Sequence, residues 1–216
     1  MNNQSPNLAP GTPPSLLLLT VFYGGMVTIA GVLGAKQVAL GPLAVEAGIF
    51  PFLLLIGISS GVAELHGKPT ADRLARFGFV PLAGAILLSF FVLQLPTDPG
   101  MYEPAKAAFP IILGQSWRMM AAGIVAYGIS LTLNIWIFAR LRRSGGALAS
   151  LRGFIAAACS QVVDTLIFIT VSFYGVRPIG ELMAGQMIAK LVLSAIMVPA
   201  VIWLVVRIGR RLDVKG

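Results

Sequence analysis

GFIAAACSQVVDTLIFITVSF, residues 153–173, carries a single acidic residue, Asp164, in a run that is otherwise apolar or weakly polar. About 20 such residues suffice for a helix to cross the hydrocarbon core of a bilayer, and a helix satisfies its own backbone groups there. Arg152 closes the run on one side and Arg177 lies beyond it on the other. At 1.5 Å per residue, Asp164 stands roughly 18–20 Å from each of these charges, near the middle of a membrane. A carboxylate at that depth is costly, which marks it as a candidate functional group.

The same pattern recurs along the chain. Further apolar runs cover 15–33, 43–65, 77–95, 119–141 and 182–206. The expected fold class is therefore an all-α integral membrane protein with six transmembrane helices. The whole composition agrees: of 216 residues, 57% are hydrophobic and 11% charged, with a mean hydropathy of +0.87. A soluble helical bundle would show a polar stripe on each surface helix, and these runs lack one. Residues 1–14, polar and Pro-rich, are expected to form a disordered tail. Residues 15–207 then make the membrane domain, and 208–216 a basic cytoplasmic tail. The run from Ser15 has no basic segment before it, so it is read as a retained span rather than a signal peptide.

Eleven of the sixteen Lys and Arg residues fall in three segments: Lys68, Arg73 and Arg76; Arg140, Arg142, Arg143 and Arg152; and Arg207, Arg210, Arg211 and Lys215. Lys36, Lys106, Arg118 and Arg177 lie on the opposite side. The positive-inside rule places both termini in the cytoplasm, at the inner membrane of the cell. Cations spread between apolar runs in this way form no water-facing patch, so the net charge of +8 argues for topology and against nucleic-acid binding. One Cys and one His exclude a disulfide framework and the usual zinc or haem ligand sets, and no cofactor is expected. The chain contains no phosphate loop, no His-Glu-x-x-His and no Gly-x-Ser-x-Gly, so it is not read as an enzyme. Energy coupling would come from an ion gradient or a separate protein. The longest connection, 96–117, holds Asp98, Pro99, Gly100, Pro104 and Pro110; helix is disfavoured in its first half, and it is either an exposed loop or a lid.

Polar residues within the spans carry the functional argument. Lys190 lies well inside the last run, and it pairs with Asp164 either as a structural salt bridge or as part of a solute or ion site. Gln161, Asp164 and Phe168 share one helical face, offering an amide, a carboxylate and an aromatic ring that suit a planar heterocycle. The alternative is that they merely join helices. Asn134 and Trp136 mark the preceding span, and Asn134 and Asp164 both begin the pattern [Asn/Asp]-x-x-Ile-Phe, a weak repeat or a coincidence. In the second span, Pro51 is expected to kink the helix. Gly57 and Gly61 would let a helix or a ligand approach closely, with Ser60 and Glu64 lining the same side. Glu64 is alternatively a solvated helix-end residue near Lys68. His66 is expected at the interface or in solvent, with a proton relay as the other reading.

Two blocks resemble a known family. Glu64-Leu-His66-Gly67-Lys68-x-x-Ala71-x-Arg73, followed by Phe77-Gly78-Phe79, is similar to the second-span signature of the queuosine precursor transporter family, also called the VUT family. Ser160-Gln161-Val-Val-Asp164-Thr165-Leu-Ile-Phe168, followed by Phe173-Tyr174-Gly175, resembles its fifth-span signature more closely, and Lys190 followed by Pro199 is similar to its last span. The chain departs from the family in carrying Ser60 and Asn134 where Asp is usual, and His66 where Tyr is usual. The resemblance implies a six-helix inner-membrane importer of 7-cyano-7-deazaguanine or 7-aminomethyl-7-deazaguanine, working as a secondary transporter or facilitator. Its ligand would be met by Asp164, Gln161, Asn134, Glu64, Phe168, Ser60, Lys190 and Trp136. The implied partners are the deazapurine and the lipid bilayer, with room for a homodimer. Two rival expectations stand beside this one: a substrate-binding component that needs a separate ATPase module, as in energy-coupled vitamin importers, and a membrane scaffold that transports nothing.

Overall fold

The computed structural model describes residues 11–34, 36–41, 43–114, 117–143, 149–175 and 179–214. Helix α1 (Pro14–Leu33) is followed by a short hairpin, β1 (Gln37–Leu40) and β2 (Leu43–Glu46). Helices α2 (Ile49–His66), α3 (Lys68–Leu93), α4 (Glu103–Leu113), α5 (Trp117–Arg143), α6 (Ala149–Phe173) and α7 (Gly180–Asp213) complete the chain. Among the described residues, α1, α2, α3, α5, α6 and α7 are long and apolar enough to cross a membrane, which is the six-span architecture expected. The crossings bring the start of α1 to the ends of α2 and α7, where Ser15 bonds Asp213. This side is called the termini-bearing face below, and the side with the hairpin and α4 the hairpin-bearing face. Residues 1–10 and 215–216 lie outside the described residues, and residues 208–213 continue helix α7.

The second run differs from its expected form at both ends. Its first residues are strand, with Val38 opposite Val45 in an antiparallel register closed near Gly41 at φ +60. The β-branched pair and the left-handed glycine favour a hairpin over a helix. Helix begins only after Gly48, where an added Cβ would lie 2.9 Å from the Ala30 carbonyl oxygen, so α1 and α2 cross closely at this point. Pro51 consequently sits in the first turn of α2, where its missing N–H costs no intrahelical bond, and it starts the helix instead of kinking it. At the other end only Gly67, at φ +84, separates α2 from α3. Lys68, Arg73 and Arg76, expected in a turn, occupy the first turns of α3, where Lys68 pairs with Asp72.

Burial is inverted relative to a soluble bundle on the outer helices. Leu17, Val21, Phe77, Val80 and Leu87 of α1 and α3 are exposed, as lipid-facing residues are. Helix α2 lies at the centre, with Leu53, Leu55, Ile56, Ile58 and Val62 fully buried. Its glycines seat α7: an added Cβ at Gly57 would collide with Val201, and one at Gly61 with Val205. Of the two uses open to these glycines, helix packing is the one the structure makes of them.

Candidate functional site

Polar side chains converge on the bundle axis in successive turns. The first layer is built on Asp164 of α6. Lys190 of α7 lies 2.7 Å from its Oδ2, and the Ser130 hydroxyl of α5 shares its one proton between Oδ1 at 3.3 Å and the Tyr127 carbonyl at 3.2 Å. Asp164 is 8% exposed. The expected pairing of Asp164 with Lys190 is thus present, and the cation offsets the cost of holding a carboxylate at this depth. An ionised carboxylate has about four lone-pair sites, so two neighbours leave it able to accept further donors.

One turn toward the termini-bearing face lies a neutral layer. Asn134, four residues after Ser130, donates from Nδ2 to the Ser60 hydroxyl of α2 at 3.2 Å, and both are fully buried. Gln161, three residues before Asp164, is 1% exposed, and neither atom of its amide has a hydrogen-bond partner. Asn134 Oδ1 and Ser194 Oγ are likewise buried without partners, Ser194 standing four residues after Lys190; Thr165 Oγ1, next to Asp164 at the depth of the first layer, is buried without a partner too.

A third layer follows. Arg152 of α6 donates to Glu64 of α2 at 2.9 Å, with its guanidinium 5.5 Å from the centre of the Phe138 ring. Glu64 is therefore partly buried and paired with Arg152 rather than with Lys68. In the sequence Arg152 reads only as a topological charge, because its partner is 88 residues away and no local pattern links them. At the termini-bearing face itself, Ser15 Oγ lies 2.9 Å from His66 Nε2 and donates to Asp213 Oδ2 at 2.8 Å. His66 is thus held in a polar clasp joining the ends of α1, α2 and α7, rather than lying free at the interface.

A cavity of about 220 Å³ reaches the first layer from the hairpin-bearing face. Its walls run from Gly34, Gly48 and Leu113 at the hairpin-bearing face to Tyr127, Asp164 and Lys190 at mid-membrane depth. Phe168 lines it, as do Thr28 and Ser89 of α1 and α3. Tyr127 is fixed in place: its hydroxyl donates to Tyr23 at 3.0 Å, and its ring makes edge contacts with Phe52 and Phe79 at 5.7 and 5.1 Å. Sequence reasoning missed Tyr127 and Ser130, since a tyrosine and a serine in an apolar span carry no local sign of their partners. Helix α4 supplies Ile112 and Leu113 to the cavity wall, so the second half of the long connection does cover it in part.

Of the residues expected at the site, Asp164, Lys190 and Phe168 meet at the cavity, while Ser60, Asn134 and Gln161 form the layer beyond it. Glu64 lies one turn further on, in the pair with Arg152. Trp136 does not join them: it is 53% exposed on the outside of α5.

Six spans with charged and amide side chains buried along their shared axis, and a cavity leading to them from one face, define a multi-pass solute transporter of the inner membrane. Its partners are accordingly a small molecule and the lipid bilayer. The profile of the family described as "Putative vitamin uptake transporter" matches residues 46–204, and the chain belongs to that family, the one expected from its second-, fifth- and last-span blocks. A curated relative from Bacillus subtilis (strain 168), "Probable queuosine precursor transporter", is 27% identical over 164 residues, covering 74% of this chain and 70% of the relative. No solved structure matches the chain.

Proposed function

We propose that this chain imports queuosine precursors, 7-cyano-7-deazaguanine or 7-aminomethyl-7-deazaguanine, as a secondary transporter or facilitator whose termini-bearing face is cytoplasmic. The name of the Bacillus subtilis relative supports the substrate class. The observation that carries the reading is the Asp164–Lys190 pair, backed by the buried Ser130, lining the cavity beside the Phe168 and Tyr127 rings. A deazaguanine edge presents N–H donors next to a carbonyl, which match a carboxylate beside an ammonium, and its flat face matches an aromatic wall. At about 220 Å³ the cavity is smaller than the roughly 300–1,000 Å³ usual for drug-sized ligands, which favours a compact bicycle.

Calorimetry on the purified protein tests this directly. 7-Cyano-7-deazaguanine is expected to bind, and Asp164→Asn to weaken it by at least about tenfold, the loss typical of a hydrogen bond to a charged group. Wild-type protein that ignores the compound, or an Asp164→Asn protein that binds it unchanged, would overturn the proposal. Uptake is also expected to persist in cells stripped of every ATP-driven vitamin module; its loss there would make the chain a substrate-binding component instead.

A further inference from the structure

The neutral layer beyond the cavity floor is built differently from the floor. Ser130 and Asn134 are one turn apart on α5, Asp164 and Gln161 on α6, and Lys190 and Ser194 on α7. Residues at these spacings share a helix face. The first member of each pair meets the others around the Asp164 carboxylate, so the second members converge about 5.4 Å further along the axis. There Gln161 exposes neither amide atom to solvent and pairs neither, while Asn134 Oδ1 and Ser194 Oγ are also unpaired. Buried polar groups without partners are costly in a membrane interior, and apolar residues would pack these faces at lower cost. These groups share a depth but do not line the cavity, so they offer their donors and acceptors to a guest only when the spans part.

We infer that Ser60, Asn134, Gln161 and Ser194 form a second, inner subsite for a neutral planar solute, and that the Glu64–Arg152 pair is the barrier closing it from the termini-bearing face. The inference rests on the transporter reading above. Amides and hydroxyls bind the edge of a neutral heterocycle less tightly than a carboxylate–ammonium pair does, and a solute that must leave needs a weaker site after the strong one. Beyond the layer, Arg152 and Glu64 stand directly in line: Glu64 is four residues after Ser60 on α2, and Phe138, under the guanidinium, is four after Asn134 on α5. Passage requires that pair to part.

The single native cysteine makes the test simple. In a Cys159→Ser background, Ser194→Cys places one thiol in the layer, and a membrane-impermeant maleimide is applied to vesicles of each orientation. With the pair intact, labelling from the termini-bearing face is expected to be slow. Glu64→Gln should accelerate it by at least about tenfold, and the exchanged pair Glu64→Arg with Arg152→Glu should slow it again. Added 7-cyano-7-deazaguanine should then protect the thiol in the Glu64→Gln protein. A rate indifferent to Glu64→Gln overturns the barrier, and labelling without protection in a protein that binds the compound by calorimetry overturns the subsite. Failure of wild-type protein to bind the compound at all would instead overturn the substrate assignment, while the dependence of labelling on Glu64 needs no ligand. Should Ser194→Cys fail to insert, Ser60→Cys offers a second buried thiol in the same layer.

Discussion

Lys190 and Asp164 hold each other in place at 2.7 Å, so removing either should act on stability as well as on binding. Lys190→Met leaves a buried carboxylate without its cation, and about 3–5 kcal/mol of stability is expected to go with it. Thermal melting of the purified protein in detergent would register the loss. The double variant Asp164→Asn, Lys190→Gln restores a neutral, hydrogen-bonded pair. Its melting temperature should recover most of the difference, while binding of the deazapurine stays weak. Recovery of both would make the pair a structural device alone. These two residues were legible in the sequence because each is an isolated charge within an apolar run. Arg152 was not, since a cation at the end of a span has the same sequence signature whether it faces lipid headgroups or an acidic partner across the bundle. Trp136 misled for the opposite reason: it lies two residues from Asn134, but residues at that spacing do not share a helix face, and the ring points outward.

At the scale of elements, the α2–α7 contact is the most exacting. Gly61→Leu would drive a branched side chain into Val205, and overpacking of this kind costs about 1–3 kcal/mol. A lowered melting temperature is expected, together with slower uptake at unchanged expression. Gly25, with open space around its Cβ position, provides the contrast, and Gly25→Ala should leave melting within about 1 kcal/mol of the parent. The six spans could be read from hydropathy because length and composition alone define a crossing helix. Neither the hairpin at Gln37–Glu46 nor the late start of α2 follows from hydropathy, because short strand and helix segments have similar composition from Leu43 to Leu65, even though Glu46 interrupts that stretch. What separates them is the left-handed Gly41, a local turn, and the crossing of α1 at Gly48, a tertiary contact.

For the molecule as a whole, the uneven distribution of cations sets an orientation that can be measured. An alkaline phosphatase domain fused after Gly100 is expected to be active, and one fused after Val214 inactive, because only the first would reach the oxidising side of the membrane. The reverse pattern would place the cavity mouth in the cytoplasm and overturn the proposed orientation. The central position of α2 has a consequence for manufacture. Of the six spans it is the least apolar and the most enclosed, and it carries Ser59, Ser60 and Glu64. Its glycine face is filled by Val201 and Val205, which leave the ribosome last among the spans. Through most of synthesis, then, the central helix is without the partner that completes its surroundings, joined through Gly67 to the more apolar α3. A nascent chain truncated before α7 should be the species that membrane chaperones and quality-control proteases recognise.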